Sequence, residues 1–295
     1  MIYVLVPAYN EAATVGLVLW KVRRVFSEFG REYQLLVVND GSTDGTDEVL
    51  APYARALPLT LITHRERQGY ARSVEELLRL AASRTDRPRR DLAVLLQADF
   101  SDSPDDIPEL VKKIESGADL ALADYRRRPG LPRREALVRR LLPALLRRHR
   151  RGVLDRPLDW VSSLKAVRLV TLARLLSERG GRGLLRADGW AADAELLLEL
   201  ARHARRAEVV PLAGAATLRL RPSRARPLRA AWNVWAVARR HRPLAAAAPA
   251  RPADDAPPDA EQPEAPARER AGRRRGRGRR RQGPPPPQPR TASAP

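Results

Sequence analysis

Asp91-Leu92-Ala93-Val94-Leu95-Leu96-Gln97-Ala98-Asp99-Phe100-Ser101-Asp102-Ser103-Pro104 is the stretch from which the architecture of this chain can be worked out. Leu92 to Leu96 is an unbroken apolar run of the length that suits a strand buried on both faces. It breaks off into Gln97, Asp99, Ser101 and Asp102, and Pro104 cannot extend a strand. Oxygen-bearing side chains at the carboxyl end of a central parallel strand stand where open α/β sheets bind ligands. The plainer reading is a capped turn leading into a helix over residues 107–116.

The rest of the first half supports the former reading. Ile2 to Val6 reads as a strand, and Glu11 to Phe29 as a helix with apolar positions at Val15, Val18, Leu19, Val22, Val25 and Phe26. Leu35 to Val38 is a second strand, closed by the turn formers Asn39-Asp40-Gly41-Ser42-Thr43-Asp44-Gly45-Thr46. A helix over 46–54, a strand over 59–63, a helix over 70–82 and a strand over 120–123 follow. Strands alternating with helices predict βαβ units and an α/β fold, a mostly parallel sheet covered on both sides. Three strand ends would then share one edge: residues 7–11, 40–44 and 97–99.

Beyond residue 126 the pattern changes. Residues 126–156 hold twelve arginines against Glu135 and Asp155, about half of the chain's net charge of +20. Within it, residues 135–148 set Leu137, Val138, Leu141, Leu142, Leu145 and Leu146 between arginine pairs, and Pro143 predicts a kink. This is either an ordinary surface helix or one lying on an anionic membrane, where each arginine contributes about 1 kcal/mol. Residues 193–202 and 228–240 read as helices and 209–212 as a strand. From residue 245 on, Pro, Ala, Arg and acidic residues dominate, so this tail is expected to be disordered. Its basic tract, Arg273 to Arg281, could meet nucleic acid or anionic lipid, but no aromatic residue interleaves the arginines for base stacking.

The chain has no cysteine, which excludes disulfides and thiolate metal sites. No apolar run reaches the roughly 18 residues of a membrane span, and residues 1–7 do not read as a signal peptide. A cytoplasmic protein, peripheral on the inner face of the plasma membrane, is the expectation.

The three strand ends also carry a resemblance. Val6-Pro7-Ala8-Tyr9-Asn10-Glu11 and Val37-Val38-Asn39-Asp40-Gly41-Ser42-Thr43-Asp44-Gly45-Thr46 resemble the opening motifs of family 2 glycosyltransferases of the GT-A fold, nearest the dolichol-phosphate mannose synthase-like group. Looser likenesses lie at 67–71, 123–126, 159–166, 193–197, 209–211 and 221–224. The resemblance covers roughly residues 1–235. It implies a GT-A domain over 1–244, with a nucleotide half at 1–125 and an acceptor half at 126–244.

The resemblance implies site roles too. Pro7, Tyr9, Glu11 and Asp40, with Gln97 and Ala98, would bind the nucleotide of a nucleotide-sugar donor, and Arg221 would reach its phosphates. Asp99, with Ser101, would hold Mg2+ or Mn2+ on the diphosphate. Asp193 or Glu195 would act as base toward a hydroxyl acceptor; a lipid-phosphate acceptor such as a polyprenyl phosphate, already an anion, needs none. Arg126, Arg139, Arg140, Arg147, Arg148 and Ser162 would face acceptor and membrane. Transfer with inversion of a single sugar is implied, since the Gln-x-x-Arg-Trp signature of processive synthases is absent. Two departures stand out: Gln97 and Asn39 occupy positions where the family pattern has aspartate. They motivate a second reading, a degenerate domain that binds nucleotide without transferring sugar.

Overall fold

The computed structural model describes residues 1–126, 131–149, 152–212 and 227–243. The Arg221 expectation, the basic tract and the tail from residue 245 lie outside these residues. Strands β1 (Ile2–Ala8), β2 (Tyr33–Asn39), β3 (Leu59–Thr63), β4 (Leu92–Leu95), β5 (Leu120–Asp124), β6 (Lys165–Arg168) and β7 (Ala207–Pro211) form one sheet in the order β3-β2-β1-β4-β6-β5-β7. β1 pairs in parallel with β2 on one side and with β4 on the other. The chain therefore reverses its direction of winding at β1, and the crevice beyond β1 and β4 is the topological switch point.

The helices are α1 (Val15–Phe29), α2 (Thr46–Ala56), α3 (Tyr70–Arg84), α4 (Ile107–Glu115), α5 (Arg133–Leu145), α6 (Leu169–Arg179), α7 (Trp190–His203) and α8 (Pro227–Arg240). Successive strand residues point to opposite faces, so β1 feeds two cores. Ile2, Val4 and Val6 join a cluster that also takes Val15, Val18, Leu19 and Val22 of α1 and Leu110, Val111 and Ile114 of α4. Tyr3 and Leu5 join the opposite cluster with Leu77 and Leu78 of α3, Leu172 of α6 and Leu196 and Leu197 of α7. All seven β1 residues are buried, as expected of a strand covered on both sides.

Three features depart from expectation. β6 was not predicted: it runs antiparallel between β4 and β5, with Leu95 opposite Lys165 and Leu92 opposite Arg168. Lys165-Ala166-Val167-Arg168 is too short and too charged to announce a strand by itself, and its place in the sheet is set by its neighbours. α6 was also missed. The helix expected over 135–148 is Arg133–Leu145, with Pro143 near its end and a separate 3-10 turn at Arg147–His149.

Candidate functional site: a cavity at the carboxyl ends of β1, β2 and β4

The loops after β1 and β2 are laced together. The Asn10 N–H donates to Ser42 Oγ at 2.9 Å, and Asn10 Oδ1 accepts from the Thr43 N–H at 2.8 Å. The Glu11 N–H donates to Thr46 Oγ1 at 2.9 Å and the Ala12 N–H to Asp44 Oδ2 at 3.2 Å. Burial works against ionisation of Asp44, but bonds from the Thr46 hydroxyl and from the backbone N–H groups of Ala12, Thr46 and Asp44 itself bring its carboxyl below the ordinary range. Asn39, fully buried, donates Nδ2 to Asp47 Oδ1 at 2.6 Å while its own Oδ1 accepts from Ser42. An aspartate at 39 would set two carboxylates against each other, so asparagine is the residue this loop requires.

Asp40 anchors a third loop. Its Oδ1 accepts from the Gln68 N–H at 2.7 Å and contacts His64 Nδ1 at 2.8 Å, and its Oδ2 accepts from the Gly69 N–H at 2.8 Å. His64 Nε2 contacts Glu76 Oε2 at 2.8 Å. Burial lowers the His64 pKa, and the bonds to Asp40 and Glu76 outweigh that, leaving it raised. Gly41 (φ +65°) is needed here, because a Cβ would lie 2.6 Å from the backbone of Glu66 and Arg67. The anchored loop lays the Arg67 guanidinium on the Tyr9 ring, 4.4 Å from its centroid.

These loops enclose a cavity of about 230 Å3. Pro7, Tyr9, Glu11, Asp40, Arg67, Gln97, Asp99 and Ser101 line its β-strand side, and Arg139, Ser163, Asp188, Trp190 and Asp193 the other. Across the floor runs a chain of bonds. Gln97 Nε2 donates to the Tyr70 hydroxyl (2.9 Å), which donates to Asp193 Oδ1 (2.9 Å), which also accepts from Lys165 Nζ (3.1 Å). Burial raises the Asp193 carboxyl, opposed by Lys165 and Tyr70, and burial beside Asp193 pushes the Tyr70 hydroxyl well up. Asp102, 2% exposed, accepts from Ser163 Oγ at 2.6 Å and from the Gln97 N–H at 3.3 Å. Burial first, then the charges of Asp99 and Asp193, raise its pKa to about 6, against the pull of the Ser163 bond.

The sequence reading named most of the strand-side residues and misplaced several others. Ala98, in the turn past the end of β4, is buried in the core and does not line the cavity. Glu195 follows Asp193 by two residues on α7, some 200° round the helix. It caps the backbone N–H groups of Arg186 and Ala187 at 2.8 and 2.9 Å and lines a different cavity. Ser162 is buried, and its carbonyl accepts from Lys165 Nζ at 2.8 Å. Arg126 is held on Asp124 and on the Pro157 carbonyl. Arg139 does not face outward: it is 7% exposed, paired with Glu135 and Asp159, and lies over the Trp190 ring.

Arg148 donates to the Ala238 carbonyl at 2.7 Å. Only Arg140 and Arg147 of the expected basic face are left without an ion pair or hydrogen bond among the described residues. Arg67, Tyr70 and Trp190 were missed, the first two sitting in a weakly matching motif. Asp102 was named among the oxygen-bearing side chains after Leu96 but was given no role of its own.

The apolar stripe of α5 is divided. Val138, Leu142 and Leu146 are buried, whereas Leu137, Leu141 and Leu145 are more than half exposed. α8 packs on α5 and exposes Leu228 and Trp232 in turn. Arg133, Arg134, Arg140 and Arg147 are exposed around the α5 strip. No helix among the described residues is long and apolar enough to cross a membrane.

The oxygen set at the end of β4 fits a hard divalent cation. Asp99 and Ser101 are hydrogen-bonded to each other, and Asp102 lies on the same cavity wall. Among the described residues no group of three His, Cys, Asp or Glu could enclose a metal. Mg2+ and Mn2+ can be held by one or two carboxylates together with substrate phosphates.

A family model described as glycosyl transferase family 2 matches residues 3–163. The chain belongs to glycosyl transferase family 2. A stretch of 120 residues, 41% of the chain, is 28% identical to an undecaprenyl-phosphate 4-deoxy-4-formamido-L-arabinose transferase of Pseudomonas aeruginosa, covering 34% of that protein. The enzyme of that name from Photorhabdus laumondii is 29% identical over 117 residues, 40% of the chain and 34% of the relative. The match thus spans about a third of the length of these curated relatives.

Among solved structures, mannosyl-3-phosphoglycerate synthase from Rubrobacter xylanophilus aligns at a TM-score of 0.57 and 19% identity, covering 81% of this chain and 73% of that one. Glucosyl-3-phosphoglycerate synthase from Mycobacterium tuberculosis, solved with Mn2+ and UDP, aligns at 0.51 and 24% identity, covering 80% and 78%. The fold of this family 2 glycosyltransferase is GT-A.

Proposed function

We propose that this chain transfers one sugar, with inversion, from a nucleoside-diphosphate sugar to a polyprenyl phosphate at an anionic membrane surface. The observation that carries the reading is the single cavity joining Tyr9, Arg67 and Asp99 on the strand side to Asp193 and Trp190 opposite. The curated relatives, named as undecaprenyl-phosphate transferases, support the acceptor class.

In this reading the nucleobase packs against Pro7 and Tyr9, with the laced loops fixing its depth. Arg67 is the one cation lining the cavity without a carboxylate partner among the described residues, so it answers the donor diphosphate. Asp99 and Ser101 hold Mg2+ or Mn2+, which when bound neutralises charge on the departing nucleoside diphosphate. The opposite wall positions the acceptor for attack on the anomeric carbon. A phosphate acceptor arrives as an anion and gives up no proton. Asp193, tied to Lys165 and Tyr70, then orders that wall and need not serve as base.

The exposed leucines of α5 and the Leu228–Trp232 strip of α8, bordered by Arg133, Arg134, Arg140 and Arg147, form the membrane-facing side. Apolar side chains enter the headgroup boundary while arginines meet the lipid phosphates. The test is transfer of labelled sugar from GDP-mannose and from UDP-glucose into a lipid-phosphate extract with Mg2+ or Mn2+. Metal-dependent label in the lipid phase, lost in Asp99→Ala, is the expected result. A folded protein that binds nucleotide but yields no label with any donor would instead identify the degenerate binding module.

A further inference from the structure

The family pattern has an aspartate where this chain has Gln97, which removes one negative charge beside Asp99. The loop after β4 returns one. Phe100 adopts φ +57°, a left-handed conformation that is unfavourable for an aromatic residue. The turn it makes leads the chain back, so that the Asp102 carboxylate accepts the N–H of Gln97 itself, at 3.3 Å. The carboxylate thus sits at the end of β4, on the cavity wall with Asp99 and Ser101. The Gln97 side chain meanwhile donates to Tyr70, whose own proton goes to Asp193. An aspartate at 97 would meet a hydroxyl oxygen with no proton left to give, and would crowd a third carboxylate onto Asp99 and Asp102.

We propose that Asp102 replaces the missing aspartate as the second acidic ligand toward the divalent cation of the donor site. The inference rests on the donor-site reading above. Gln97 is then one half of an exchange in which the charge moved five residues along the chain, and the site is not degenerate. Ser163, on the acceptor side, sets the rotamer of Asp102 through its hydroxyl, so the metal and the acceptor wall share one side chain.

The test is Mn2+ affinity of the full chain, read by electron paramagnetic resonance of free Mn2+ with UDP and then GDP present. Asp102→Asn is isosteric and retains a partner for Ser163. It is expected to weaken Mn2+ binding by about tenfold or more with unchanged melting temperature, and Gln97→Asp with Asp102→Asn to recover most of the loss. Gln97→Asp alone is expected to change affinity by less than about threefold. The proposal is overturned if Asp102→Asn binds Mn2+ as the wild type does, or if Gln97→Asp alone tightens binding by about tenfold, which would mark position 97 as the vacant ligand position. The second arm decides even if Asp102→Asn fails to fold. Asp99→Ala separates the two readings: loss of Mn2+ there, with Asp102→Asn unaffected, leaves the donor site standing and removes only the role of Asp102.

Discussion

Arg67 lies over the ring of Tyr9, its guanidinium carbon 4.4 Å from the ring centroid. One residue comes from the loop after β1, the other from the loop that Asp40 holds, so the pair brings two loops together on the cavity, at the end where the proposed function puts the nucleotide. Removing either member should reach the nucleotide and spare the fold. Arg67→Ala and Tyr9→Ala are each expected to weaken UDP or GDP binding by about tenfold or more, with Arg67→Lys intermediate because an ammonium lacks the planar fork. Isothermal titration of the nucleotide checks this, and wild-type affinity in Arg67→Ala would remove the residue from the site.

Asp40 is expected to matter for architecture as much as for binding. Its two oxygens take two backbone N–H groups and His64. Asp40→Asn turns an amide donor toward those N–H groups, and a destabilisation of about 2 kcal/mol follows in urea unfolding. Gly41→Ala should have a comparable effect for a different reason, the 2.6 Å approach to Glu66 and Arg67.

Arg139 and Arg140 are neighbours in sequence with opposite predicted phenotypes. Arg139→Gln strips a buried cation from Glu135 and Asp159, and about 3 kcal/mol of stability should go with it. Arg140→Gln combined with Arg147→Gln should leave the melting temperature alone and reduce co-sedimentation with anionic vesicles. Leu141→Gln with Trp232→Ala should reduce it on neutral vesicles as well, since those side chains meet the apolar layer. Undiminished vesicle binding in both double variants would sink the membrane face.

Glu199 ties three helices: from α7 it pairs with Arg179 of α6 and, at 2.9 Å, with His241 just past α8. Burial works against its charge, but these partners carry its pKa down to about 2 from an ordinary 4.5. A carboxyl depressed on folding stabilises the protein above its unfolded pKa, and that contribution is lost as pH falls through the folded value. Acid unfolding should therefore show a loss on the order of 2 kcal/mol between about pH 4.5 and 2 that is missing in Glu199→Gln. Identical acid profiles for the two proteins would contradict the assignment.

What the sequence disclosed follows from which forces are local. The runs at 2–6, 35–38 and 92–96 are buried on both faces and so declare themselves without reference to the rest of the chain. Their polar ends, Pro7 to Glu11, Asp40 and Asp99, were legible with them. β6 was not, because only Ala166 and Val167 of its four residues are apolar and its strand character comes from β4 and β5. Glu195 was mistaken for a site residue because spacing along a helix was not converted into angle. The α5 leucines were legible as a stripe, but which half of them faces the core depends on where α8 packs. Asp102 was legible as an oxygen-bearing residue after the strand, but only the backward turn at Phe100 brings it to the N–H of Gln97.

β6 begins where β4 ends, Lys165 standing opposite Leu95, since antiparallel neighbours start at each other's finish. The segment before it, residues 157–164, is thereby delivered to the same rim as the donor loops while belonging to none of them. Under the proposed function this segment is the acceptor wall, separable along the chain from β1, β2 and β4, and tied to the loop after β4 through Ser163 and to α5 through Asp159. Acceptor choice is then an exchangeable cassette: transplanting residues 157–164 from another member, with Asp159 and Ser163 kept, should redirect the recipient of the sugar and leave the choice of nucleotide unchanged.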